Sequence, residues 1–199
     1  MRRRSGLGLV AVVLIVAGVA IAVWNWRSSA EGPTAATFGF QDWLVRCQAA
    51  KDKDGKDKVG CGMSQQILDQ QSRQPVLQLH LARAPSGTGH QLVVVLPLGV
   101  TVPSGILIQI GDLKRNVAFT QCLPGGCVAP FVADTALIDK MKAAQDGRVA
   151  VMDRLGKTVA IPFSLKGFGP AFEKMESQGG IGTSDATWWT RFWNSSGTK

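Results

Sequence analysis

Tyrosine is absent from this 199-residue chain, and histidine occurs twice, at His80 and His90. Those gaps remove most of the side chains that do proton-transfer chemistry near neutral pH. His80 falls on the polar side of an alternating strand and His90 in a glycine-rich turn. Neither belongs to a recognisable motif: G-x-S-x-G, H-E-x-x-H and a phosphate loop are all missing. The chain therefore reads as a non-enzyme with no cofactor, no metal ligands and no small-molecule ligand expected. Strong charge is also missing from most of its length. Of 22 basic residues, Arg2, Arg3, Arg4 and Arg27 flank an apolar run, which leaves 18 against 14 acidic residues from Glu31 onward. That surplus, without any arginine-aromatic stripe, excludes nucleic acid as a partner and implies only weak attraction to anionic surfaces.

What is present begins at the N-terminus. Residues 7–24 contain no charge, and residues 7–26 would span about 30 Å as a helix, the thickness of a bilayer core. Trp24 and Trp26 stand at its far end, where aromatic rings favour the interface, and the preceding arginines place the N-terminus in the cytoplasm. The reading is a single transmembrane helix in the inner membrane with the rest of the chain in the periplasm. The alternative is cleavage after Ala30, which would leave a secreted or periplasmic protein.

Either way the chain is exported to an oxidising compartment, where an even number of cysteines favours disulfides. Cys47, Cys61, Cys122 and Cys127 admit three connectivities, of which local pairing is the simplest. Spacings of C-x13-C and C-x4-C do not match the tight knuckles of structural zinc. The turn Pro124-Gly125-Gly126 is not the helix start that a redox C-x-x-C motif would use.

Composition divides the chain into an anchor or signal-anchor (1–27), a small polar linker (28–37), an apolar domain (38–176), a glycine-rich linker (177–187) and a Trp-rich tail (188–199). Within the domain the apolar period is mostly two, which predicts about eight or nine strands. One stretch breaks it: after Asp134, a good N-cap, Leu137, Ile138, Met141 and Ala144 recur at helical spacing. The predicted fold is an all-β antiparallel sandwich of two sheets with one short inserted helix, preceded by the transmembrane helix.

Five stretches in order, "FGFQDWLVRC", "CGMSQQ", "LPLGVTVPSGI", "CLPGGC" and "SLKGF", make residues 38–172 similar to the invasion-associated locus B family of alphaproteobacterial envelope proteins. The resemblance implies an immunoglobulin-like β-sandwich, export, local disulfides and no known enzymatic activity. For pathogenic members it also implies a part in entry into host cells. The N-terminal anchor and the Trp-rich tail depart from the pattern such members would show.

In that tail Trp188, Trp189, Phe192 and Trp193 fall at i, i+1, i+4 and i+5 and share one face of a short helix. Such a face suits a contact with a partner protein or a membrane, the alternative being the edge of the chain's own sandwich. The loop "KDKDGKDKVG" interleaves lysines with its aspartates, so it reads as a solvated hairpin tip and not a calcium loop. Together these features predict a membrane-anchored periplasmic interaction module, an accessory subunit docking on an integral membrane protein complex. An envelope adhesion or invasion factor is the alternative, and a thiol-redox factor the weaker one.

Overall fold

The computed structural model describes residues 36–51, 57–84, 86 and 88–178. The predicted anchor with Trp24 and Trp26, the tip of the lysine-aspartate loop, and the tail with Trp188, Trp189, Phe192 and Trp193 lie outside them. Among the described residues no helix is long and apolar enough to cross a membrane.

The described chain runs β1 (Ala36–Phe40), β2 (Trp43–Lys51), β3 (Asp57–Leu68), β4 (Pro75–Arg83), β5 (His90–Leu96), β6 (Ile106–Ile110), β7 (Leu113–Val117), β8 (Gln121–Leu123) and β9 (Gly126–Ala133). Then follow α1 (Thr135–Ala143), β10 (Asp146–Met152), β11 (Thr158–Ser164) and α2 (Phe168–Ser177). The strands form two antiparallel sheets, one of seven in the order β1-β2-β3-β4-β5-β9-β8 and one of four in the order β11-β10-β6-β7. Alternation places Trp43, Val45, Cys47, Met63, Leu79, Leu81, Leu92 and Val94 of the large sheet in one core with Ile106, Ile108, Ile110, Val149 and Val151 of the small one. The all-β sandwich expected from the period-two pattern is therefore present.

Three features correct the expectation. There are eleven strands among the described residues: β1 starts at Ala36 and so takes the last two residues of the stretch read as linker, and β8 is only three residues long. In β1, Phe38 and Phe40 point to the core while Thr37 and Gly39 face out, an alternation too short to stand out in the sequence. The strand order also differs from a constant-type immunoglobulin domain, which divides its strands four and three between sheets. Here tight connections keep β1 to β5 as successive hydrogen-bonded neighbours, a five-stranded meander within one sheet.

The third correction is a second helix. α1 forms where predicted, with the Asp134 carboxylate accepting the Leu137 N–H at 2.9 Å. That bond, and then Arg115 at 2.7 Å, hold the Asp134 carboxyl below the usual carboxylate range. α2 was not anticipated, because Gly167 offers no side-chain cap and Gly169-Pro170 reads as a breaker. Pro170 lies in the first turn, where its missing N–H costs no helical bond, and Phe168, Ala171, Phe172 and Met175 then recur at helical spacing as a buried stripe. Four strands cannot cover the inner face of seven. α2 fills the uncovered part, packing against β1, β2 and β3, with the rings of Phe168 and Trp43 edge to face at 5.1 Å.

Candidate interaction clefts

The stretches singled out in the sequence meet in space. Asp42, Gln65, Gln66, Ser164 and Lys166 come from three of them and line one open cleft of about 570 Å³ at the mouth of the sandwich. Its frame is fixed by long-range bonds: Trp43 Nε1 donates to the Ser164 carbonyl at 3.1 Å, and Gln65 Nε2 to the Asp42 carbonyl at 3.2 Å. Gly167, at φ 83°, passes so close to the Phe40 carbonyl that a Cβ would collide with it. These residues are thus held first by packing, and the cleft is the opening that the packing leaves.

The other two stretches, 96–106 and 122–127, line a second cleft of about 510 Å³. Pro75, Leu96, Pro97, Leu98, Pro124 and Gly125 form its walls. One wall is the β8–β9 hairpin, in which Cys122 and Cys127 stand opposite each other and are joined by a disulfide. The other is the β5–β6 loop, tied to the β10–β11 turn by Thr101 N–H to the Met152 carbonyl (2.8 Å), Arg154 N–H to the Gly99 carbonyl (3.0 Å) and Thr101 Oγ1 to the Asp153 carbonyl (2.7 Å). This framework holds Leu98, Val102 and Leu155 out to solvent at 58, 44 and 83 % exposure.

The second disulfide joins Cys47 to Cys61, direct partners on β2 and β3 whose side chains face the core. Among the described residues no cysteine is free and no group of three His, Cys, Asp or Glu side chains could hold a metal ion. Each of the two histidines has a polar side-chain neighbour. His80 is buried on the outer face of the large sheet, its Nε2 3.2 Å from the Gln78 carboxamide oxygen. Burial, and then the charge of Arg46, lower its pKa to about 4. His90 opens β5 and shares Glu176 of α2 with Arg83, at 3.0 and 2.5 Å. Sequence alternation placed His80 on the correct face but gave no sign that this face is buried.

Comparison with known proteins gives a consistent result. Residues 43–176 match the family model described as "Invasion associated locus B (IalB) protein". The chain is 31% identical over 140 residues to an invasion protein B homolog of Brucella abortus, covering 69% of this chain and 78% of that protein. It is 24% identical over 197 residues to invasion protein B of Bartonella bacilliformis, covering 89% and 98%. In fold it is similar to the crystal structure of invasion associated protein b from Bartonella henselae, with a TM-score of 0.61, 19% identity and coverage of 71% and 95%.

Proposed function

We propose, on the premise that the chain belongs to the invasion-associated locus B family, that it is a non-catalytic envelope protein acting as an accessory subunit of a membrane protein complex. The apolar residues 7–26 hold it in the inner membrane, and the sandwich meets the partner on the periplasmic side. The second cleft carries this reading: Leu98 lines it beside proline walls, and Val102 of the same braced loop and Leu155 of the adjoining β10–β11 turn also stand exposed, which suits a protein surface and offers no acid–base chemistry. A second reading, an adhesion or invasion factor, takes its support from relatives that carry invasion in their names.

Purification from the native membrane in mild detergent, with intact mass and identification of what co-purifies, separates the two. A full-length chain with a stoichiometric membrane partner, released by Leu98→Asp with Leu155→Asp, supports the accessory subunit. A lone chain beginning near residue 31 overturns it and favours the invasion factor.

A further inference from the structure

β5, at the middle of the large sheet, is apolar on both faces over residues 92–96, while beside it the outer face of β4 carries Gln78, His80 opposite Val93, and Ala82. Leu79, Leu81, Leu92 and Val94 enter the core with the small sheet and both helices. The intervening Ala82, Val93, Val95 and Val128 point the other way and form an apolar cluster of their own, 1–3 % exposed. Val95 pairs with Val128 across β5 and β9, and Ala82 with Gly62 across β4 and β3, so the surface is flat with a hollow where Gly62 has no side chain. A sheet face turned to water carries polar side chains, whereas strands apolar on both faces are covered on both.

We infer that this outer face is the seat of residues 188–193 of the same chain, whose tryptophans close over it as an intramolecular strap. The described chain ends beside it. Glu176, in the last turn of α2, is held by Arg83 and His90, the last residue of β4 and the first of β5. Ala82 is the neighbour of Arg83, and its side chain lies on the far side of that rim. Residues 179–187 can extend about 30 Å, whereas the layers of a sandwich lie about 10 Å apart. The reach is ample.

The sizes and chemistry also agree. From β3 to β9 the face is three strand spacings wide, about 14 Å, and residues 188–193 at helical rise cover about 8 Å before their rings are added. Four aromatic side chains at i, i+1, i+4 and i+5 present an apolar body to the valines. The indole N–H groups are left for the polar border of Gln78 and Gln91, which pair with Val95 and Ala82. The proline-lined cleft is the poorer seat, because Pro75 and Leu96 lie at the opposite ends of β4 and β5 from Glu176. Residues 7–26 are assigned to the bilayer. The strap itself does not depend on the accessory-subunit reading, which can fail while the strap stands.

The test is methyl NMR on the full-length chain in lipid nanodiscs. Expected are cross-peaks from indole protons to the methyls of Val93, Val95 and Val128, unchanged on dilution and lost in Trp188→Ala/Trp189→Ala/Trp193→Ala while the core methyls keep theirs. Cross-peaks from those methyls to residues 7–26 instead, cross-peaks that fade on dilution, or indole contacts only with acyl chains would each overturn the strap. So would broadening of the three valines by a soluble paramagnetic agent. The wild-type spectrum decides the matter even if the triple variant fails to fold.

Discussion

The Trp43 indole N–H donates to the carbonyl oxygen of Ser164 at 3.1 Å, joining the start of β2 to the end of β11 across 121 residues of sequence. It is a direct polar tie between the two sheets, and the ring beneath it stacks edge-on against Phe168 of α2. Trp43→Phe keeps most of the apolar volume and orphans one acceptor, so it should cost about 1–3 kcal/mol. Trp43→Ala also leaves a cavity and should cost about 3–5 kcal/mol. Urea unfolding of the two variants checks both the order and the gap.

The two disulfides close loops of different length, with cysteines 14 and 5 residues apart. On the chain-entropy account the longer loop is worth about 3 kcal/mol and the shorter about 2. Cys47→Ala/Cys61→Ala should therefore lower the melting temperature more than Cys122→Ala/Cys127→Ala. The difference grows because the first pair is buried in the core, whereas Cys122 is exposed at the sheet edge. Equal losses in the two variants would contradict this.

His80 makes stability depend on pH. Its folded pKa is lowered from 6.5 to about 4 by burial and by Arg46 on β2, with Ser64 on β3 and Gln78 on β4 as its sheet neighbours. Between those values the unfolded chain binds more protons than the folded one, so stability rises with pH. The contribution is complete above about 6.5 and is lost as pH falls toward 4, on the order of 3 kcal/mol. His80→Gln should flatten that part of the profile, measured by urea unfolding between pH 7.5 and 4.

Gly126 opens β9 at φ 139°, and a Cβ there would strike the Leu96 carbonyl oxygen. Gly126→Ala should cost at least about 2 kcal/mol by combining backbone strain with collision. The collision moves the disulfide hairpin away from Leu96, so under the proposed docking at the second cleft the variant should also bind the partner less well. Gly39→Ala, on the exposed face of β1 with open space where its Cβ would stand, is the control expected to leave both unchanged.

Nine of the strands and α1 follow from periods that a reader of the sequence can count, because each buries one face and turns the other to water or to a partner layer. α2 escaped because its signals contradict one another: Gly167, Gly169 and Pro170 suppress the helix reading that Phe168, Ala171, Phe172 and Met175 support. Only the uncovered end of the large sheet, a tertiary fact, resolves that conflict. The clefts were half legible. The stretches lining them stood out, but their meeting depends on the crossing of β2 with β11 and on the hydrogen bonds between residues 99–101 and 152–154. The apolar outer face was visible as the run "LVVVL", which reads as a core strand without saying that two separate covers are needed.

The strands at the borders of the two sheets carry a further consequence, for behaviour at high local concentration. Open β-edges invite pairing with other chains. At one border β8 offers only three residues and is cross-linked to its neighbour, so it makes a poor template for growth. β11 carries Pro162 inside the strand, which withholds an N–H from any newcomer. β7 presents the exposed Lys114, whose charge repels a second copy of itself. Three of the four borders are thus closed to addition by three different means, and the domain can crowd against its neighbours without being drawn into a shared sheet.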